Sequence, residues 1–264
     1  TCAGINHQSW FLEFKRNGKD AYPEVERAIK EREGVYYQEQ VRNEMFLKLG
    51  YYVTESSSHN SEYNPWFRKT QKDIETLCHN YETEEGWAHR NESKKYADKG
   101  WNYGRYANTL IYYEQREDHW RESIKKSIEE TPNLKRGNEY AAYILNALFG
   151  DGQITSFNGN IINNGSISNL PSNACVEIPI IASKAGLQPV MIGKLPDHLA
   201  ILNGIHANCH NIIGDAVMEG DKNKVYRACY MDPLTSACLN MNQIKAMVDE
   251  MFEANKDYLP SFNI

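Results

Sequence analysis

The sequence predicts a mixed α/β domain, dominated by helices and carrying a smaller set of strands. Three stretches predict it. Tyr37, Val41, Met45 and Leu49 recur every four residues, which marks one face of a helix, and Gly50 is a natural stop. Leu199, Leu202, Ile205, Cys209, Ile212 and Ala216 make a second, longer stripe. Between them Val176, Ile178 and Ile180 alternate at period two, the pattern of a half-buried strand.

The elements follow in order. Cys2-Ala3-Gly4-Ile5-Asn6-His7 runs straight into the apolar Trp10-Phe11-Leu12, so the chain is expected to open within or just before a strand. Residues 22 to 50 read as helix, with Pro23 suited to a first turn and Gly34 as the point of division. Tyr51-Tyr52-Val53 is a short β-like run that leads into a polar loop ending at His59. Residues 62 to 130 are rich in Glu, Lys, Arg, Tyr and Trp and have no proline after Pro65, which suits helices with a solvated outer face. Asn138 is positioned to cap the next helix, whose stripe is Tyr140, Ala141, Ile144, Leu145 and Leu148, ended by Gly150. Ile154 to Asn169 is Asn, Gly, Ser and Ile, expected to form strands joined by tight turns, with Asn164-Gly165 the strongest turn signal. Ile244, Met247, Val248, Met251 and Phe252 mark a last helix. No repeat, low-complexity tract or linker divides the chain.

Composition narrows the function. Lys and Arg number 29 against 35 Asp and Glu, a net charge of −6, and no long basic run occurs, which argues against sequence-independent nucleic-acid binding. No stretch approaches the roughly 18 apolar residues of a membrane span, and no basic-then-apolar leader opens the chain. A soluble, cytoplasmic protein is expected. The 6 cysteines include no CxxC pair, so reduced thiols are expected and not a zinc knuckle or a disulfide framework.

Four groups carry possible chemistry. His7 follows a glycine-bearing strand, where an imidazole can ligate a transition metal or simply hydrogen-bond at a strand end. Cys2 is five positions away and, on an extended segment, points to the opposite face, so the two should not converge. Residues 54 to 63 bring together Glu55, His59, Glu62 and Tyr63. A helix starting near Ser58 or Asn60 sets His59, Glu62 and Tyr63 on one face, as a general base or as a ligand with its partner. The same residues also suit a capping loop, with Ser58 or Asn60 as cap and Glu62 in the first turn. Asn158 to Pro171 holds five asparagines, including Asn158 and Asn163, whose amides suit sugar hydroxyls and equally suit turns. The Trp and Tyr residues between 81 and 120 suit a carbohydrate platform or ordinary packing, Cys78-His79 and Cys209-His210 are adjacent pairs poorly placed to chelate one metal, and Cys209 belongs to a core stripe.

Taken together these motifs resemble family 4 of the glycoside hydrolases, nearest its α-galactosidase (melibiase) branch. The resemblance rests on Cys2 to His7 with Trp10, Val41-Arg42-Asn43-Glu44-Met45-Phe46, Gly50 to His59, Glu62-Tyr63 with Pro65-Trp66, Asn158 to Pro171, Cys175-Val176-Glu177-Ile178-Pro179, Leu195-Pro196 and Asp232-Pro233-Leu234-Thr235, all in order. It implies a helix-rich fold like the C-terminal domain of lactate dehydrogenase, with a mixed or antiparallel sheet. It also implies glycoside cleavage by transient NAD⁺-dependent oxidation at sugar C3, loss of the C2 proton and elimination, assisted by Mn²⁺ or another divalent metal. On that resemblance His7 is the metal ligand and Asn6 contacts substrate and metal. Asn158 and Asn163 are candidate sugar contacts, and the base is sought among Tyr63, His59 and Glu55, in that order.

The family's glycine-rich NAD-binding turn and its metal cysteine, which precedes this segment, are not found. The expectation is therefore a C-terminal, substrate- and metal-side half over residues 1–264 that needs a Rossmann half in cis or in trans. Such a chain would assemble as a homodimer or homotetramer and be inactive alone. The alternatives are a non-catalytic remnant or interaction module, and a stand-alone carbohydrate-binding domain.

Overall fold

The computed structural model describes residues 1–77, 119–131, 135, 137, 139–259 and 262. The chain opens as a hairpin of β1 (Cys2–Ile5) and β2 (Gln8–Phe11), in register from Cys2↔Phe11 to Ile5↔Gln8. Asn6 and His7 therefore make the turn by themselves. A small exposed ribbon follows, β3 (Lys15–Arg16) and β4 (Lys19–Asp20).

The helical stretch expected over 22 to 50 is three helices: α1 (Tyr22–Glu31), α2 (Glu33–Gln38) and α3 (Gln40–Leu49). Pro23 lies in the first turn of α1, and Gly50 ends α3 in the left-handed conformation, as anticipated. The breaks fall at Arg32 and Glu39, whose backbones are non-helical, and not at Gly34. The second break changes the phase of the stripe. Val41 and Met45 are in the core, while Tyr37 is 41% exposed.

α4 (Ser57–Tyr63) starts earlier than expected, because the cap is Ser56, whose hydroxyl accepts from the His59 amide. α5 (Gln71–Leu77) and α6 (His119–Glu129) are helices in the polar region, and α6 is exposed along its length. The Cys78-His79 pair, the aromatic residues 81–118 and Asn138 lie outside the described residues. α7 (Ala141–Phe149) has Tyr140 at its N-cap, and it buries Ala147 while leaving Tyr140 and Leu145 exposed.

The main sheet is antiparallel throughout. Its centre is β6 (Cys175–Ser183), with β5 (Thr155–Ile162) on one edge. On the other edge lie β1, at Gly4↔Glu177, and β7 (Gly186–Pro189). The alternation read along β6 is met in full: Val176, Ile178, Ile180 and Ala182 are buried. Only one strand occupies the Asn-rich stretch. Asn164 and Gly165 do turn with positive φ, but they open a loop, residues 163–174, and do not join two strands directly.

α8 (Asp197–Glu219), 23 residues long, runs past the sheet and on to α9 (Lys222–Met231), α10 (Pro233–Cys238) and α11 (Met241–Ala254). It joins three apolar clusters. Ala200 and Ala207 pack with Ala3, Val176 and Ile178, Leu199 with Trp10, Val41 and Val53, and Ala216 with Ile244, Val248 and Phe252. The apolar stripe expected along α8 is rotated. Leu199, Cys209 and Ala216 are buried, but Ile205 is 39% exposed, and Asn203 and His206 take inward positions. Apolar periodicity overlooks a helix face that buries polar groups.

Those polar groups hold the hairpin. Asn203 Nδ2 donates to the Gln8 carbonyl and Trp10 Nε1 donates to Asn203 Oδ1, both at 2.9 Å and all buried. The helix comes this close because residue 4 is glycine. A Cβ there would lie 2.6 Å from the Gln8 oxygen and 2.7 Å from Asn203 Nδ2, with φ at +157°. Gly4→Ala should therefore destabilise the fold by about 2–3 kcal/mol in chemical denaturation, an overpacking effect. At Gly165, where a Cβ meets nothing, Gly165→Ala should lose only about 1 kcal/mol, from positive φ.

Candidate functional site

The hairpin turn delivers the first site residue. His7 has φ of 65°, a left-handed conformation uncommon outside glycine, although Asn, Asp and His adopt it more often than other residues. A strained backbone of this kind is found where the surrounding structure holds a side chain for use. The imidazole thus leaves the sheet and faces α4.

The loop before α4 brings the next residues. Arg42 donates to the carbonyls of Val53 and Thr54, and Ser57 donates through its amide and hydroxyl to Glu39 Oε2, so residues 53–57 are tied to α3 and its cap. Glu55 is then held at the start of α4, where the Ser56 amide donates to Oε1 at 2.7 Å. Burial would push this carboxyl up, but the Ser56 amide and the neighbouring His59 and His7 outweigh it and hold it below the usual range.

His7, Glu55 and His59 converge. Glu55 Oε2 is 3.8 Å from His7 Nε2, Glu55 Oε1 is 3.3 Å from His59 Nδ1, and the two imidazoles stack at 4.9 Å. Each offers a ligand atom within 4.8 Å of the others, and all three are part-buried. Two imidazole nitrogens and a carboxylate form a donor set suited to a divalent first-row metal. Tyr63, one turn after His59, places its hydroxyl 3.0 Å from His7 Nδ1. Glu62, expected on the same face, turns instead to Arg68 at 3.5 Å.

A cleft of about 240 Å³ lies beside this group, lined by Asn6, His7, Gln8, Tyr63, His206 and His210 with Ile5. Asn6 donates to Glu177 Oε2 at 3.3 Å. Burial pushes the Glu177 carboxyl up, against the Asn6 amide and His7. Glu177, Gln8 and His206 are not candidates in the sequence, and His210 is weighed there only in its adjacent pair with Cys209. The alternation of β6 offered a signal for Glu177, which is out of phase with the buried valine and isoleucines. His206 and His210 are spaced i, i+4 on α8, a signal that the neighbouring Cys209 hid.

The other candidates lie elsewhere. Cys2 is buried against Ser9 and Asn158, away from His7. Burial pushes its thiol up to about 11, which disfavours a thiolate ligand. Asn158, on β5 opposite Pro179, lies against Cys2 of β1 and is not among the residues lining the cleft. Asn163 is fully buried and its amide is consumed by its own loop: Nδ2 donates to the carbonyls of Ile167, Leu170 and Pro171, and Oδ1 accepts from the Ile167 amide. It staples the turn. The five described cysteines are unpaired, and no described helix is long and apolar enough to cross a membrane.

Comparison with known proteins places this arrangement. Residues 2–235 match the family described as the family 4 glycosyl hydrolase C-terminal domain. An alpha-galactosidase of Bacillus subtilis (strain 168) is 36% identical over 262 residues, 98% of this chain and 55% of that protein. An alpha-galactosidase of Rhizobium meliloti (strain 1021) is 31% identical over 99% of this chain and 50% of its own length. The chain thus spans about half the length of the curated relatives it matches. Among solved structures, a 6-phospho-alpha-glucosidase from gut microorganisms in complex with NAD and Mn²⁺ shares the fold, with a TM-score of 0.63 and 18% identity, over 97% of this chain and 54% of that one.

Two desolvated imidazoles, buried His206 and the more exposed His210, make stability pH-dependent. Burial holds both His206 and His210 below the ordinary value of 6.5, so the unfolded chain binds protons that the folded chain refuses. Their contribution is complete above that value and lost as pH falls below it. The denaturation midpoint should drop between pH 7.5 and 5.5, and drop less in a His206→Asn variant.

Proposed function

Because the chain belongs to family 4 of the glycosyl hydrolases, we propose that it forms the substrate- and metal-side half of a glycosidase acting on α-galactosides. The observation that carries this reading is the meeting of His7, Glu55 and His59 beside Tyr63 at the mouth of one cleft. The substrate class rests on the identity to two alpha-galactosidases.

The donor set fits Mn²⁺ or another divalent cation, and we assign His7 Nε2, the Glu55 carboxylate and His59 to hold it. When bound, such a cation would act as a Lewis acid on adjacent sugar oxygens and favour negative charge beside a carbon that loses its proton. With Nε2 of His7 given to such a cation, the proton of the neutral ring belongs on Nδ1, which then donates to the Tyr63 hydroxyl oxygen. That hydrogen bond orients the phenol and favours its oxygen as the acceptor of a sugar proton. Tyr63 is thereby the proposed base, with His59 and Glu55 as ligands. Asn6, braced by Glu177, is the proposed sugar contact. Asn158 and Asn163 shape strand and loop.

A dinucleotide does not fit this chain in the same way. The sequence carries no GxGxxG turn, and the described sheet is antiparallel, not a βαβ unit. We place the NAD⁺ of the reaction on the part of the protein that corresponds to the other half of the relatives, in cis or in trans. The chain alone should turn nothing over, and assembly as a homo-oligomer belongs to the same proposal.

Two experiments test this. Calorimetric titration of Mn²⁺ into the chain should detect a site that His7→Ala removes, that Glu55→Gln weakens about tenfold or more, and that Tyr63→Phe leaves in place. Joined to the part of the Bacillus subtilis alpha-galactosidase that this chain does not match, the chain should cleave 4-nitrophenyl α-galactoside with NAD⁺ and Mn²⁺, and Tyr63→Phe should lower kcat about 10²–10⁴-fold. A joined protein that folds and binds both cofactors yet cleaves no α-galactoside would point to a non-catalytic remnant.

A further inference from the structure

We propose that Gln8 and His206 form a pair of hydrogen-bond acceptors in the cleft that hold hydroxyl groups of the sugar, so that α8 contributes to substrate specificity. This inference rests on the glycosidase reading and names contacts that it does not include.

The argument begins with two atoms. Gln8 Oε1 and His206 Nε2 are both inaccessible and have no hydrogen-bond partner among the described residues. Their side chains belong to the lining of the same cleft, and the residues are 1% and 7% exposed. Buried polar atoms are nearly always paired, so two orphans on residues that line one cavity require an account.

The surrounding bonds determine what each atom offers. Asn64 Nδ2 donates to the Asn60 carbonyl at 2.8 Å, which leaves Asn64 Oδ1 as an acceptor. Gln8 Nε2 donates to that oxygen at 2.9 Å. The amide orientation of Gln8 is thus set from a backbone carbonyl outward, and the atom left for the cleft is the acceptor Oε1. His206 follows the same logic. The Tyr63 backbone acts on this ring as a hydrogen-bond acceptor, and burial, opposed by Asp232 and reinforced by His210, holds the ring below its ordinary value and so neutral. A neutral imidazole that donates from one nitrogen accepts at the other.

Two acceptors without donors are complementary to a ligand bearing several O–H groups. They are poorly complementary to an anion, whose oxygens only accept. The polar side chain one turn earlier on the same helix, Asn203, is fully used by Gln8 and Trp10, so His206 is held in place by a structure already satisfied.

The test uses imidazole ¹⁵N spectra of the whole chain with Mg²⁺, titrated with methyl α-galactoside, together with KM values of the joined enzyme. The unprotonated Nε2 resonance of His206 should move upfield saturably as it accepts a hydrogen bond. His206→Asn, which keeps a donor near the Tyr63 carbonyl and loses the atom in the cleft, should raise KM about tenfold or more. His206→Gln, which puts an amide back at the Nε2 position, should stay within about threefold. Removing the contacted hydroxyl from the glycoside should weaken the wild type but not His206→Asn. A saturable shift without turnover would retain the contact and discard the glycosidase reading. Turnover with an unmoved His206 resonance, the reverse order of the two variants, or no sugar response at all would overturn the proposal.

Discussion

The buried amide of Asn203 is the interaction on which the rest of the arrangement depends. It accepts from the Trp10 indole and donates to the Gln8 carbonyl, fixing the hairpin of β1 and β2 against α8. Each such bond contributes only about 1 kcal/mol net, but leaving its buried groups unpaired would be more costly. The approach is possible because Gly4 has no side chain to stand between the two. Once hairpin and helix are locked, the turn at Asn6 and His7 has one place to point, and His206, on the next turn of α8, falls at the same cleft. A single polar clamp inside an apolar junction thus sets the geometry of the site from two segments nearly 200 residues apart.

Around that clamp, ionisable groups in a small volume are pushed in different directions. Glu55 gains a backbone amide and two imidazole neighbours, which hold its carboxyl below the usual range and keep it ionised. Glu177, more deeply buried and near another carboxylate, is pushed toward its protonated form. His206 and His210 are kept neutral by burial. The cleft, lined by uncharged hydrogen-bonding groups, therefore lies beside an ionised carboxylate. This division suits a cation on one side and a polyhydroxylated ring on the other.

Several residues in the most recognisable stretches turn out to build and not to react. Asn163 staples its loop through four hydrogen bonds. Asn169 exchanges two bonds with the backbone of Leu195 and so attaches that loop to the approach of α8. Asp232 caps α10 by accepting from the amide and hydroxyl of Thr235, and Asn240 with Gln243 forms a capping box at α11. Asparagine is suited to such work because one amide both donates and accepts. Composition alone does not separate that use from binding a sugar.

What could be read from the sequence was local and periodic. The alternation along β6, the stops at Gly50 and Gly150, the Asn164-Gly165 turn, and the stripe through Ile244, Val248 and Phe252 all express nearest-neighbour geometry, so they are visible without a fold. The grouping of Glu55, His59 and Tyr63 was also legible, because they are spaced four apart within one short segment, and the ordered motifs carried the family. Tertiary structure alone decided the rest. The breaks at Arg32 and Glu39, the rotation of α8 onto Asn203 and His206, and the meeting of His7 with Glu55 depend on contacts between distant segments. A helix face that buries polar atoms leaves no apolar period to detect, and a set of donor atoms drawn from two segments has no spacing to recognise. The family and the elements were therefore written in the chain itself, whereas the composition of the cleft followed from which polar groups the fold could satisfy and which it left open.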